Sequence, residues 1–252
     1  MNAPSFSLAG RRALVTGSSQ GIGLALAQAL AAAGAQVVLN GRDPARLATA
    51  ATGLRAAGHA AIEVAAFDVT DESAVQAAAA GLGAVDILVN NTGIQRRGPL
   101  ESMPLADWHA VLQTNLTSAF LVTRAVAPGM IARRRGKIIN ICSLMSDLAR
   151  PTTGNYAAAK GGLKMLTRAM CAEWAQHNIQ VNGLAPGYIL TELTAPLAGD
   201  PKFDAWIKGR TPAGRWGCAD DLTGACVFLA SPAADFINGQ ILTVDGGLSA
   251  VI

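Results

Sequence analysis

Short, almost continuously apolar runs alternate with longer Ala- and Leu-rich stretches along nearly the whole chain. Runs of that kind, with no polar residue at every second position, are the pattern of strands buried on both faces of a parallel sheet. Strands are predicted at Arg12–Thr16, Gln36–Asn40, Ala61–Phe67, Asp86–Asn90, Lys137–Ile141, Ile179–Leu184 and Ile241–Val244. Helices are predicted at Gly21–Ala33, Pro44–Ala57, Glu72–Ala80, Leu105–Ala132, Asn155–His177 and Asp220–Ala230, with Gly34 and Gly58 ending the first two. Strands joined in sequence by helical crossovers predict an α/β architecture, a doubly wound parallel sheet with helices on both faces. No linker, charge block or internal repeat divides the sequence, so residues 1–252 are expected to form a single domain. Alanine clusters such as Ala31–Ala33 and Ala77–Ala80 read as close-packing helix formers without chemistry.

Composition narrows the function classes. With 51% apolar and 15% charged residues over 252 positions, a large folded core is expected and disorder is not. A net charge of +3 is too small to point to a nucleic-acid partner. The densest basic cluster, Arg133–Arg135 with Lys137, falls where a long helix should end, and the helix dipole accounts for it. Four cysteines (Cys142, Cys171, Cys218, Cys226) form no CxxC pair, and the three histidines stand at no metal-ligand spacing to them. Reduced thiols, a cytoplasmic setting and no metal are therefore expected. Met1–Gly10 has no signal-peptide pattern, and no apolar stretch reaches roughly 18 residues, so neither secretion nor a membrane span is expected.

The first candidate for chemistry is Thr16-Gly17-Ser18-Ser19-Gln20-Gly21-Ile22-Gly23, between the first strand and the first helix. Glycines there permit a tight turn and let a pyrophosphate approach the backbone N–H groups of a helix N-terminus. A Gly-rich turn can also serve the backbone alone. Its place in a βαβ unit is what favours a nucleotide.

The spacing TGxxxGIG is similar to that of the short-chain dehydrogenase/reductase family, and the resemblance runs through the chain. Asp68-Val69 follows the third strand, Asn90-Asn91-Thr92-Gly93 the fourth and Ser143 the fifth. Asn115 lies in the intervening helix, Tyr156 and Lys160 stand four apart, and Pro186-Gly187 precedes Thr191. The resemblance implies a Rossmann-like oxidoreductase of alcohols and ketones. It implies a cofactor held by Gly17, Ser19, Gly21, Ile22, Gly23, Arg42, Asp68, Val69, Asn90, Gly93, Tyr156, Lys160, Pro186, Gly187, Ile189 and Thr191. It also implies a homotetramer built through the two long helices and the last strand. Thr92 is a departure, since the family's usual segment is Asn-Asn-Ala-Gly.

Cofactor choice is read at the end of the second strand. Folds that take NAD place a carboxylate there for the ribose 2′-OH. In the family's register this position is Gly41, followed by Arg42, which can pair with a 2′-phosphate. NADP(H) is expected over NAD(H). The competing reading is a solvated Arg42 neutralised by Asp43.

Tyr156 and Lys160, at i and i+4, project from one helix face. A phenol titrates near pH 10 and is a poor acid or base at neutral pH, and a neighbouring ammonium should bring it toward the working range. By themselves the two residues are an ordinary surface pair. The resemblance adds Ser143 as a hydrogen-bond partner of the substrate oxygen and Asn115 as support for a water-linked relay to Lys160. The catalytic set is then Asn115, Ser143, Tyr156 and Lys160.

The substrate should lie beyond the strand C-termini, framed by Ile94–Leu100, Leu144–Asn155 and Tyr188–Trp216, the last a lid around residues 188–216. Arg96 and Arg97 can clamp a carboxylate, or form a solvated pair or a subunit contact. The stretches Gly93–Arg97, Ile139–Ser143, His177–Tyr188 and Arg210–Gly217 are similar to the family's enzymes for keto-sugar acids. That likeness implies a small anionic sugar acid, with 5-keto-D-gluconate and D-gluconate as the expected pair. Arg96, Arg97, Ser143, Ser146, Asn155 and Tyr156 would contact it. Asp147 departs from the glutamate that such enzymes tend to carry after the corresponding serine. Two rivals remain at this level: a reductase of other keto-sugars or 3-oxoacyl thioesters, and a dinucleotide-binding regulator without turnover.

Overall fold

The computed structural model describes residues 5–192 and 194–251. Met1–Pro4 of the N-terminal stretch, Leu193 of the 188–216 segment and Ile252 lie outside the described residues. The chain runs β1 (Arg12–Val15), α1 (Gly21–Ala32), β2 (Gln36–Gly41), α2 (Pro44–Ala56), β3 (Ile62–Ala66), α3 (Glu72–Gly81) and β4 (Ile87–Asn90). It continues with α4 (Leu105–Leu112), α5 (Ser118–Arg133), β5 (Gly136–Ile141), α6 (Gly154–Trp174), β6 (Ile179–Pro186), α7 (Ala195–Ala198), α8 (Pro201–Arg210), α9 (Thr223–Ala230) and β7 (Ile241–Val244).

All seven strands pair in parallel in the order β3-β2-β1-β4-β5-β6-β7. The winding reverses between β1 and β4, which opens a crevice at their C-terminal ends where ligands of such sheets bind. Successive strand residues face opposite layers. Val15, Leu39 and Val89 pack with Leu26, Leu47 and Leu229 of α1, α2 and α9. Leu14, Val38 and Leu88 pack on the other side with Val75, Val126 and Met170 of α3, α5 and α6. Period-two strands feeding two helical layers explain why the strand segments read as continuous apolar runs.

Three local features depart from the pattern-based expectation. The single helix expected over Leu105–Ala132 is two, α4 and α5, joined by a π-helical turn at Gln113–Thr117 in which the Ser118 N–H reaches back to the Gln113 carbonyl. No proline or glycine marks that turn in the sequence, so an apolar period carries no sign of it. β6 extends through Pro186, which aligns with Val244 at the end of β7. Helices α7 and α8 were not expected within residues 188–216. The start of α8 is nonetheless marked: Asp200 accepts from the Lys202 and Phe203 N–H groups, and Pro201 takes the first turn.

Candidate active site

The turn after β1 is shaped by glycine. Gly17 and Gly21 hold φ of +60° and +57°, in the left-handed region that side chains disfavour. A Cβ on Gly23 would overlap the Gly17 carbonyl oxygen. Asn91 fastens the turn from the next strand: its Nδ2 donates to the Thr16 and Gly17 carbonyls at 2.9 and 3.0 Å. Sequence reasoning quoted Asn91 within a motif but did not assign it this role. Helices α2, α3 and α8 have aspartate caps at Asp43, Asp71 and Asp200. The N-terminus of α1 has no side-chain cap and no acidic residue in its first turn. Its free N–H groups, beside open space at Gly21, fit a dinucleotide pyrophosphate. Gln20, at the cap position, instead donates to Glu192 at 2.6 Å. The Thr92 hydroxyl is buried with no hydrogen-bond partner among the described residues, a cost its alanine counterpart avoids.

At the end of β2, Asp43 spends its carboxylate on the N–H groups of Ala45 and Arg46. It therefore caps α2 and does not neutralise Arg42. Arg42 is exposed and makes only a loose 3.8 Å contact with Asp68. Burial raises the Asp68 carboxyl, but hydrogen bonds from Thr70 and the Arg42 charge outweigh it and hold the group below its usual value. A Cβ on Gly41 would sit 3.6 Å from the Ser19 hydroxyl. Ser19 and Arg42 thus flank the position where an NAD-type fold carries its acid. Val69 is buried, and Gly93 lies beside Asn115.

Ser143 follows β5 directly, and α6 carries Tyr156 and Lys160 one turn apart. Lys160 is buried, donates to the Ile141 carbonyl at 2.6 Å, and lies 5.7 Å from the centre of the Tyr156 ring. Burial pushes the Tyr156 phenol above its usual value, against a lowering hydrogen bond with Ser143, and Cys142 adds to the rise. The expectation that Lys160 lowers the phenol is not met by the protein frame alone. The ammonium is bound to a main-chain carbonyl, and burial governs the phenol.

Burial also brings Lys160 down to about 8, with Cys142 opposing. Lys160 is thus charged at neutral pH, at a cost of roughly 3 kcal/mol to the folded state. From about pH 8 to 10.5 the unfolded chain binds this proton and the folded chain does not, so this contribution to stability rises with pH. A Lys160→Met variant should be more stable than the parent at pH 7 although inactive, and the gap should close by about pH 10.5. Chemical denaturation midpoints at the two pH values check this.

Three of the expected site residues turn out to be anchors. The Ser146 hydroxyl donates to the Lys160 carbonyl at 3.0 Å and accepts from the Ser143 N–H, so it ties the Ser143 turn to α6 instead of facing a substrate. Asn155, fully buried, donates to the Arg96 carbonyl and accepts from the Tyr156 N–H. Asn115, in the π-helical turn, closes both arms of its amide on the Ile94 backbone at 2.7 and 2.8 Å. Its side chain thus braces the Ile94 backbone. The Asn90 side chain faces the core, donating to Thr123 and Asn140, and Asn140 passes the chain on to Thr167 of α6.

The arginine pair is divided. Arg96 is ion-paired with Asp107 at 2.6 Å. Arg97 donates to the neutral Gln95 carbonyl oxygen, and burial and the charge of Arg150 both lower its pKa, with Tyr188 opposing. Asp147 is ion-paired with Lys164 on α6 and so is occupied away from any sugar hydroxyl. Beyond β6, Pro186 and Gly187 pass close to Asp245, and Ile189 is buried with its neighbours tied to Gly217. Thr191 leads into α7, and Tyr188, Phe203, Trp206 and Trp216 form one aromatic cluster with ring centres 5.4–6.5 Å apart.

A phosphate-ready turn at the sheet's crossover, with a serine just past the end of β5 and a tyrosine and lysine on α6, defines a dinucleotide-dependent oxidoreductase of the doubly wound class. The chain belongs to the short-chain dehydrogenase/reductase family. A family profile described as enoyl-(acyl carrier protein) reductase matches residues 17–249. Gluconate 5-dehydrogenase of Gluconobacter oxydans (strain 621H) is 53% identical over 248 residues, covering 97% of this chain and 96% of that protein. 5-Keto-D-gluconate 5-reductase of Escherichia coli (strain K12) is 49% identical and covers 98% of each. The crystal structure of a gluconate 5-dehydrogenase from Burkholderia cenocepacia J2315 in complex with NADP and tartrate superposes with a TM-score of 0.96, at 55% identity over 99% of both chains. Among the described residues no cluster of three or more potential metal ligands occurs, and no helix is long and apolar enough to cross a membrane.

Proposed function

We propose that this protein interconverts D-gluconate and 5-keto-D-gluconate with NADP(H) as the hydride partner. The observation that carries the reading is the grouping of Ser143, Tyr156 and Lys160, with the Arg96–Gly98 backbone pinned to the start of α6 and to Thr152 and with Arg97 lacking an acidic partner among the described residues. Full-length identity near 50% to gluconate 5-dehydrogenases supports the substrate, and the NADP complex of a relative supports the cofactor. Gly41, Ser19 and Arg42 support the 2′-phosphorylated form over NAD(H).

The bound nicotinamide supplies or accepts the hydride. Tyr156, held protonated by burial, gives its proton to the C5 carbonyl oxygen in reduction and is left as phenolate; in oxidation it is the phenolate that takes the hydroxyl proton. Ser143 holds that oxygen. Lys160, charged below about pH 8, is held on the Ile141 carbonyl with its ammonium 5.7 Å from the Tyr156 ring centre. Arg97 takes the substrate carboxylate, while Arg96 stays with Asp107. Residues 188–216 act as the lid, with the aromatic cluster as its packed interior. Four free cysteines suit a reducing, cytoplasmic compartment. Exposed Phe120 on α5, Met165 on α6 and Leu242 on β7 support a homotetramer through these elements.

The family profile's description favours one second reading, reduction of an acyl thioester. Initial rates of NADPH oxidation with keto-sugar acids, uncharged ketoses and an acetoacetyl thioester separate the two. The keto-sugar acids should be turned over fastest. A preference for the thioester would replace the sugar-acid reading, and no turnover with any of them would favour a non-catalytic regulator.

A further inference from the structure

We infer that Arg150, on the loop after Ser143, is a second guanidinium arm for the substrate carboxylate and links its recognition to the aromatic segment through Phe203. The inference rests on the sugar-acid reading above and adds a specificity-determining residue to it. The guanidinium of Arg150 lies 4.8 Å over the Phe203 ring of α8. Among the described residues neither Arg97 nor Arg150 has a carboxylate partner, whereas the adjacent Arg96 is paired with Asp107. Two guanidiniums within range of each other and without an anion repel; burial is the larger cause of the lowered pKa of Arg97, and the charge of Arg150 adds to it.

The arrangement is built by the backbone. On one side of Arg97, the Arg96 carbonyl accepts from Asn155 at 2.9 Å. On the other, the Gly98 N–H donates to the Thr152 carbonyl at 3.1 Å. Arg97 is thus held between two points pinned to the 150–155 segment. That segment is itself folded back, with the Arg150 carbonyl accepting from the Thr153 hydroxyl at 2.8 Å. Thr152 has φ of +69°, a left-handed conformation that a β-branched residue disfavours, so the segment holds its shape against local preference. A planar carboxylate accepts from two guanidinium forks at once, and its charge removes the repulsion between them. Phe203 offers Arg150 a face on which to stack, so anion binding at Arg150 acts directly on the segment that covers the site.

The test compares 5-keto-D-gluconate with L-sorbose, a ketohexose that carries a hydroxymethyl group in the carboxylate's place. In Arg150→Ala the ratio of kcat/KM for the acid over the ketose should fall by about 10- to 100-fold, mostly through KM for the acid. Arg150→Lys should restore part of the ratio, because it returns the charge without the planar fork. A ratio unchanged in Arg150→Ala overturns the inference, whether both rates hold or both fall in parallel. NADPH binding, followed by fluorescence, verifies that the variants fold. Calorimetric binding of D-gluconate to the NADP+-loaded protein separates this outcome from failure of the function itself. If the unmodified protein binds the sugar acid but turns none over, the proposed function fails. In that case weakened binding in Arg150→Ala upholds the role of Arg150, and unchanged binding overturns it. Absence of sugar-acid binding to the unmodified protein overturns both.

Discussion

Replacing Tyr156 by phenylalanine should lower kcat by about 10²–10⁴-fold while leaving NADP(H) affinity within a factor of a few. The substitution removes only the phenolic oxygen. The ring, its place over Lys160 and the packing of α6 all remain. Burial keeps the phenol protonated at neutral pH, so this oxygen is poised to donate to a carbonyl. Steady-state kinetics in both directions, with cofactor binding measured by fluorescence, check the prediction. A kcat within tenfold of the parent would remove Tyr156 from the chemistry. A parallel collapse of cofactor affinity would make its role structural.

The second large effect concerns the cofactor. Arg42→Ala should raise KM for NADPH by about 10- to 100-fold and leave KM for NADH nearly unchanged, because a charge-assisted contact to a phosphate is worth about 1.5–3 kcal/mol. The side chain is exposed to make that contact: among the described residues its ion-pair partner Asp68 is 3.8 Å away, and Asp43 is occupied as a helix cap. Adding Gly41→Asp should complete the inversion toward NADH. A side chain at that position meets Leu47 and the Ser19 hydroxyl only at ordinary contact distance. Its carboxylate would stand where a ribose 2′-OH is read. Initial rates with both cofactors decide it. An equal loss for NADPH and NADH would show that Arg42 shapes the turn and does not select the phosphate.

The sheet was legible because its signal is redundant. Strands such as β2, apolar at Val37–Leu39, and β4, apolar at Ile87–Val89, carry short unbroken apolar runs, and helices such as α2 carry their caps in the sequence. The bend at Asn115 was not legible, since a π-helical turn there interrupts α4 and α5 without any proline or glycine. Helices α7 and α8 were missed because their apolar residues pack locally within an aromatic cluster and not against the sheet. For the site, motif spacing identifies Ser143, Tyr156 and Lys160 as neighbours, since strand ends and one helical turn fix them. It does not say where a side chain spends its hydrogen bonds. Ser146, Asn155 and Asn115 are polar residues near the chemistry, and each proves to be engaged with backbone. The adjacent Arg96 and Arg97 diverge for a reason visible only in three dimensions, because Asp107 on α4 captures one of them.

The central claim is that this site moves a hydride and a proton at C5 of a sugar acid. It is tested most directly by identifying the product when the purified protein oxidises D-gluconate with NADP+. The account predicts 5-keto-D-gluconate, formed one for one with NADPH and lost in Tyr156→Phe. Formation of 2-keto-D-gluconate, or no NADP+ reduction at all, would contradict it.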